Sequence, residues 1–189
     1  TMMDEKNTIE IISNYIKEFG QIINLVENKN DKIIAICNLL KKIKSENTVH
    51  IFGNGGSATI ASHFSMDLTN NTKVKCLAYN DPAIITCYSN DFKYENWVSR
   101  SINKYGIKDD ILILISSSGK SKNMIKGIKA ARKKKFKSVI SFTGFEKENY
   151  LNKNSDIGLW VNSKKYNLIE NSHQFYLLMI VDLMKKIKK

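Results

Sequence analysis

The segment Ile111-Leu112-Ile113-Leu114-Ile115 is apolar without a break. A run this short and uniform fits a strand buried on both faces, where polar alternation has no solvent side to serve. Four further short runs are β-rich: Val49-His50-Ile51-Phe52, Val74-Lys75-Cys76-Leu77, Val139-Ile140-Ser141-Phe142 and Ile157-Gly158-Leu159-Trp160-Val161. Helical stretches separate them, at Ser57 to Leu68, Asp81 to Ser89, Tyr94 to Tyr105 and Lys122 to Lys135, with a last one from about Leu168 to Lys188. Asp81-Pro82 is a specific start signal, a capping carboxylate followed by proline at the first helical position, where its missing N–H is not needed. Strands alternating with helices through right-handed crossovers give an α/β fold, a five-stranded parallel sheet covered on both faces.

Ahead of the first strand, residues 7–45 carry apolar residues at helical spacing, among them Ile9, Ile12, Tyr15, Ile16, Phe19, Ile33, Ile36, Leu40 and Ile43. They read as two helices interrupted near Asn28 to Asp31. A chain of 189 residues is long enough for one core and short for two, so residues 1–189 are expected to form a single domain. Within it, residues 1–46 are the N-terminal helices and residues 47–189 an α/β sandwich. The apolar faces of the first two helices are surfaces a second subunit can bury.

Other classes are disfavoured. No apolar run approaches the roughly 18 residues of a membrane span. The opening TMMDEKNTIEII lacks the basic-then-apolar order of a secretion signal, so a cytoplasmic location is expected. Cys37, Cys76 and Cys87 have no paired spacing and lie in apolar stretches, which points to buried thiols rather than disulfides or a metal site. The net charge of +12 invites a nucleic-acid partner. The charge is diffuse, however, and densest at Arg132-Lys133-Lys134-Lys135 and in the final Lys-rich residues, both helix ends where cations complement the dipole. Neither nucleic acid nor membrane is therefore expected as a partner.

In a parallel sheet the ligand sits beyond the carboxyl ends of the strands. That rule selects two loops, Gly53-Asn54-Gly55-Gly56-Ser57 after the first strand and Ser116-Ser117-Ser118-Gly119-Lys120-Ser121 after the third. The second falls at the start of a helix, where free N–H groups and the positive dipole end favour an anion and serine hydroxyls add donors. Serine also caps helices, but four serines in six residues exceed what one cap needs, so a phosphate cradle is expected. In the glycine loop, Asn54 and Ser57 are placed to hydrogen-bond sugar hydroxyls. His63 and Asp67, four apart, share a helix face and suit either a metal pair or a base with its orienting partner. Asn90-Asp91 follows the helix after the second strand, where a short polar pair can reach a ligand or simply end the helix, and Glu170 with His173 opens the last one.

Gly53-Asn54-Gly55-Gly56-Ser57-Ala58, His63-Phe64, Asp67-Leu68, Ser89-Asn90-Asp91, Ile115 through Ser121, Thr143-Gly144 and Ile169-Glu170 follow the motif order of the phosphoheptose isomerases. Over nearly its whole length the chain resembles that family. The resemblance implies the sugar isomerase (SIS) fold and a homotetramer with sites at subunit interfaces. It implies isomerisation of sedoheptulose 7-phosphate to D-glycero-D-manno-heptose 7-phosphate, the precursor of nucleotide-activated heptose for lipopolysaccharide or capsule. By the same resemblance, Ser116, Ser117, Ser118 and Ser121 hold phosphate, Asn54, Gly55, Gly56, Asn90 and Asp91 contact the sugar, and zinc binds at His63, Asp67 and Glu170.

Three positions depart from the family pattern: Asp67 stands where Glu is usual, Glu170 where Gln is frequent, and Leu178 where the family carries a histidine. Isomerisation through an enediol needs a base, for which Asp67 is the candidate, and an electrophile, for which His63 or a metal is. His173 flanks Glu170 on the helix and is expected to replace the missing histidine as acid or fourth metal ligand, leaving Leu178 to the core. Relatives of the family that serve as adaptors, or isomerise an arabinose or hexose phosphate, supply the alternative functions.

Overall fold

The structure, a computed structural model, describes residues 4–24 and 29–186. Helix α1 (Glu5–Asn24) and α2 (Asn30–Lys41) precede strand β1 (Val49–Gly53). Then follow α3 (Gly56–Asn71), β2 (Cys76–Ala78), α4 (Pro82–Phe92), a 3-10 turn (Tyr94–Asn96), α5 (Trp97–Tyr105) and β3 (Ile111–Ser116). The chain continues with α6 (Lys122–Lys133), β4 (Ser138–Thr143), α7 (Tyr150–Asn154), β5 (Ile157–Trp160) and α8 (Tyr166–Lys186). Of the interruption expected near Asn28 to Asp31, Asn30 and Asp31 already belong to α2, and Asn28 lies outside the described residues.

All five strands are parallel, in the order β2-β1-β3-β4-β5. The three interior strands, β1, β3 and β4, are buried at every residue. Their side chains alternate between two cores. Ile51, Ile113, Ile115, Ile140 and Phe142 pack with Phe64, Leu68, Tyr176 and Ile180 from α3 and α8. Phe52, Leu112, Leu114 and Val139 pack with Trp97, Ile102, Met124 and Ile128 from α5 and α6. With both faces covered, continuous apolar sequence is what these strands need.

The sequence expectation fails in two short places. The helix anticipated from Tyr94 to Tyr105 is a 3-10 turn followed by α5, because α4 runs on to Phe92 and Lys93 reverses the chain at φ +70°. Helix α7, capped by the Asn149 side chain accepting from the Asn152 N–H at 2.9 Å, is a single turn with too little periodicity to be seen.

Candidate active site

Two loops at the carboxyl edge of the sheet form the site. Where β1 ends, Gly55 takes φ +54° and α3 begins at Gly56. A side chain at Gly56 would stand 2.5 Å from the Glu170 carboxylate, so glycine there lets the second turn of α8 close on the first turn of α3. Where β3 ends, the serine loop turns at Gly119, with φ +62°, and the Asn149 side chain occupies the space a Cβ would need. The Gly144 N–H donates to the Ser117 carbonyl at 2.8 Å, and the Leu151 N–H to the Gly119 carbonyl at 3.1 Å. The loop is thus clamped from the segment after β4.

The serines do not behave as ordinary caps. Ser121 occupies the N-cap position of α6, yet its side chain caps no N–H; its hydroxyl lies 3.3 Å from that of Ser116. The buried Ser117 hydroxyl has no partner among the described residues. A buried unpaired hydroxyl costs about 1–3 kcal/mol, which a ligand oxygen recovers. Together Asn54, Ser57, Ser116, Ser117, Ser118, Ser121 and Glu170, with Tyr166 and Ile115, line a cavity of about 130 Å³. The Glu170 carboxylate makes no hydrogen bond or ion pair with the other described residues and borders the cavity, so it is available to a ligand.

Asn54 also borders a second, wider cavity of about 450 Å³ with Lys93, Tyr94, Glu95, Ser121, Lys122 and Asn123. Its amide is held on two sides. Oδ1 accepts from Asn123 Nδ2 at 2.8 Å and from the Tyr94 hydroxyl at 3.0 Å, while Nδ2 donates to Asn123 Oδ1 at 3.2 Å. On the far wall, Lys126 donates to Glu95 at 2.5 Å and to Asn96 at 2.8 Å, and this bond, with the nearby lysine charges, holds the Glu95 carboxyl below its ordinary range. Sequence reasoning missed Tyr94 and Asn123. Both lie far from Asn54 along the chain and carry no motif of their own.

Other expected residues lie elsewhere. His63 Nε2 and Asp67 Oδ2 stand 3.4 Å apart on the outer face of α3, some two to three turns, or about 10–16 Å, beyond the Gly56 turn that Glu170 touches. Among the described residues no three His, Cys, Asp or Glu side chains converge as a metal set. The trio His63, Asp67 and Glu170 therefore does not fit zinc within one chain. Asn90 and Asp91 close α4 at exposed positions, bonded to each other at 3.0 Å, and line neither cavity.

Two expectations about α8 are corrected. His173 is fully buried; its ring packs edge-on against Phe142, and Nε2 donates to the Thr143 carbonyl at 3.1 Å. Burial lowers its pKa to about 4, against a partial rise from the Thr143 bond. It faces the core rather than the cavity and is neither the acid nor a metal ligand of this site. Leu178 is not core either: half-buried, it lines an open groove with Phe19, Phe175 and Met179. Helical spacing sets His173 and Leu178 on either side of Glu170, but it does not tell which side of α8 meets the sheet.

A second buried polar cluster lies at the opposite edge. His50 Nε2 donates to Asp110 Oδ2 at 2.8 Å, and its Nδ1 accepts from the Tyr79 hydroxyl at 2.8 Å. Asp110 also accepts from Asn47 Nδ2 and from the Thr48 and Ile107 N–H groups at 2.8–3.0 Å. Burial pushes the Asp110 carboxyl up, but these hydrogen bonds outweigh it and hold the group below its ordinary value.

Comparison with known proteins joins these observations. The sequence model of the SIS domain family matches residues 14–144. The phosphoheptose isomerase of Hamiltonella defensa is 36% identical over 141 residues, covering 70% of this chain and 68% of the relative. That of Thermodesulfovibrio yellowstonii is 36% identical over 164 residues, covering 84% and 73%. Among solved structures, a phosphoheptose isomerase from Francisella tularensis superposes with a TM-score of 0.84 at 24% identity, over 95% of this chain and 98% of that one. At that identity the superposition speaks for the fold, while the curated relatives speak for the family.

Proposed function

We propose that this chain, which belongs to the phosphoheptose isomerases of the SIS domain family, is a sugar-phosphate isomerase interconverting sedoheptulose 7-phosphate and D-glycero-D-manno-heptose 7-phosphate. The observation that carries the reading is the serine loop, whose hydroxyls leave helix capping undone and face a small cavity, one of them buried and unpaired. Hydroxyls and helix N–H groups bind a phosphate dianion without adding a competing charge.

Small-molecule sites generally measure about 300–1,000 Å³, so the 130 Å³ cavity takes the phosphate end. The adjoining cavity, which shares Asn54 and Ser121, takes the rest of the carbon chain. Glu170 accepts from a sugar hydroxyl, and Asn54 donates to a substrate oxygen. In the chemical step a carboxylate removes a proton from C1, the C–H electron pair becomes the C1=C2 bond, and O2 is protonated. Return of a proton to C2 with loss of one from O1 gives the aldose. Asp67, oriented by His63, is the base in this reading and acts from a neighbouring subunit, since in its own chain it stands outside the cavity.

Exposed apolar side chains on α1, including Ile9, Ile12, Tyr15 and Ile16, support assembly, and a homotetramer is the form proposed. Zinc enters only through that assembly, with His63 and Asp67 joined by a third ligand such as Glu170 from another copy; no step is routed through it. Among the described residues no helix is long and apolar enough to cross a membrane. A cytoplasmic enzyme supplying heptose for lipopolysaccharide or capsule completes the reading.

The test is a proton NMR time course with sedoheptulose 7-phosphate. Replacing Ser118 and Ser121 together by Ala is expected to raise KM by about a hundredfold or more, since each hydrogen bond to a charged group is worth about 1.5–3 kcal/mol. An unchanged KM removes the phosphate cradle. Asp67→Asn is expected to abolish turnover while Glu170→Gln chiefly raises KM; the reverse pattern moves the base to Glu170.

A further inference from the structure

Asn54 has four hydrogen-bonding capacities, two acceptor lone pairs and two N–H donors. Both lone pairs are taken, by Asn123 Nδ2 at 2.8 Å and by the Tyr94 hydroxyl at 3.0 Å, and one N–H is taken by Asn123 Oδ1 at 3.2 Å. One donor is left, on a residue that lines both cavities. An asparagine amide on its own can turn over and offer either end to a ligand. Turned alone, the Asn54 amide would set its NH2 against the Asn123 NH2; a joint turn with Asn123 keeps that pair and is opposed by the Tyr94 hydroxyl, which would have to accept instead of donate.

We propose that Asn123 is a positioning residue that, with Tyr94, locks the Asn54 amide so that it presents only an N–H to the substrate. The site then selects for an acceptor oxygen at that point and, if the isomerase reading holds, for the oxygen on which negative charge grows as the enediol forms. Donors held in advance at such an oxygen stabilise the transition state without reorganising. The two partners are unequal. Asn123 is buried on the first turn of α6 beside the phosphate-binding loop, so it ties the orientation of Asn54 to the seating of the phosphate. Tyr94 is half-exposed on the rim and acts as the weaker restraint.

A double-mutant cycle with an independent spectroscopic readout tests this. Asn123→Ser is expected to lower kcat by about a hundredfold, the scale of a misplaced catalytic group, with little change in KM because the serines still hold phosphate. Asn54→Ala should lower kcat to a similar extent. The double variant should be no slower than Asn54→Ala alone, because a residue that acts through another adds nothing once that other is gone. Tyr94→Phe, a rim change that leaves the core intact, should lower kcat by only a few-fold. In proton–nitrogen correlation spectra without substrate, the Asn54 side-chain amide pair should shift in Asn123→Ser and in Tyr94→Phe. Losses from Asn54→Ala and Asn123→Ser that multiply, or an Asn54 amide signal unmoved by Asn123→Ser, overturn the proposal. If the parent protein fails to turn over sedoheptulose 7-phosphate, the isomerase reading falls, and the amide spectra alone decide the positioning role.

Discussion

The two edges of one sheet bury polar side chains to opposite effect. At the amino edge, Asn47, His50, Tyr79 and Asp110 close on one another, and the Asp110 carboxylate is saturated by side-chain and backbone donors. At the carboxyl edge, Ser117 is left unpaired, Ser121 forgoes its cap, and Asn54 keeps one free donor. By residue type the amino edge is the more catalytic of the two, holding a histidine between a carboxylate and a phenol. By completeness it is the inert one. A polar cluster whose every group has a partner inside the protein has nothing left for a ligand, whereas an incomplete one that also lines a cavity, as Ser117 does, has groups to offer.

That contrast is open to attack at several strengths. The largest effect is expected from Asp110→Ala, which strips the acceptor from the His50 ring, the Asn47 amide and two backbone N–H groups. Urea unfolding should show a loss of roughly 3 kcal/mol or more, with kcat and KM of the folded protein unchanged. Because the folded carboxyl lies below its ordinary value, its stabilisation is complete above the unfolded pKa and is lost as pH falls through the folded one. Asp110→Asn should therefore flatten the acid limb of the stability profile. A fall in kcat from either change would give the amino edge a part in function.

His173 is the next. With its pKa lowered from 6.5 to about 4, the unfolded chain takes up a proton over that window while the folded chain does not. Stability should fall by about 3 kcal/mol as pH drops from above the upper value to the lower one. Chemical denaturation at several pH values should show this slope in the parent and its loss in His173→Gln, with turnover retained. A pH-independent parent would contradict the buried, neutral imidazole.

The smallest expected effect on stability is at Ser117. Removing an unpaired buried hydroxyl with Ser117→Ala should leave the unfolding free energy within about 1 kcal/mol or raise it, while the lost phosphate bond raises KM about tenfold or more. Clear destabilisation would mean that the hydroxyl is already satisfied and the carboxyl edge no more open than the amino edge.

Much of this molecule is legible in its sequence because local signals and tertiary demands agree. The β1, β3 and β4 runs are apolar because both faces are covered, and Asp81 caps α4 as its proline promised, accepting from Ala83 N–H at 2.8 Å. The serine loop is legible for the same reason, since its chemistry lies in consecutive residues. His173 and Leu178 were misread because α8 is apolar around much of its circumference. Periodicity then cannot say which side meets β4 and which lies open beside α1. Tyr94 and Asn123 were invisible because their meaning rests on contacts with Asn54 that only the folded chain creates. His50 passed for an apolar strand residue because its partners, Tyr79 and Asp110, come from two other segments.

The clamp on the serine loop bears on the order in which the protein is made. The carbonyls of Ser117 and Gly119 are held by Gly144 and Leu151, and Asn149 fills the notch over Gly119. A chain ending at Lys133 already contains every serine of the proposed phosphate cradle, yet it lacks the residues that clamp the loop. The clamp is complete only when β4 is paired with β3 and α7 is packed beside β4 and α6. Bound phosphosugar then stabilises the finished state alone, by an amount that grows with its concentration. A ligand of the cradle therefore favours the chain in which β4 and α7 are already in place.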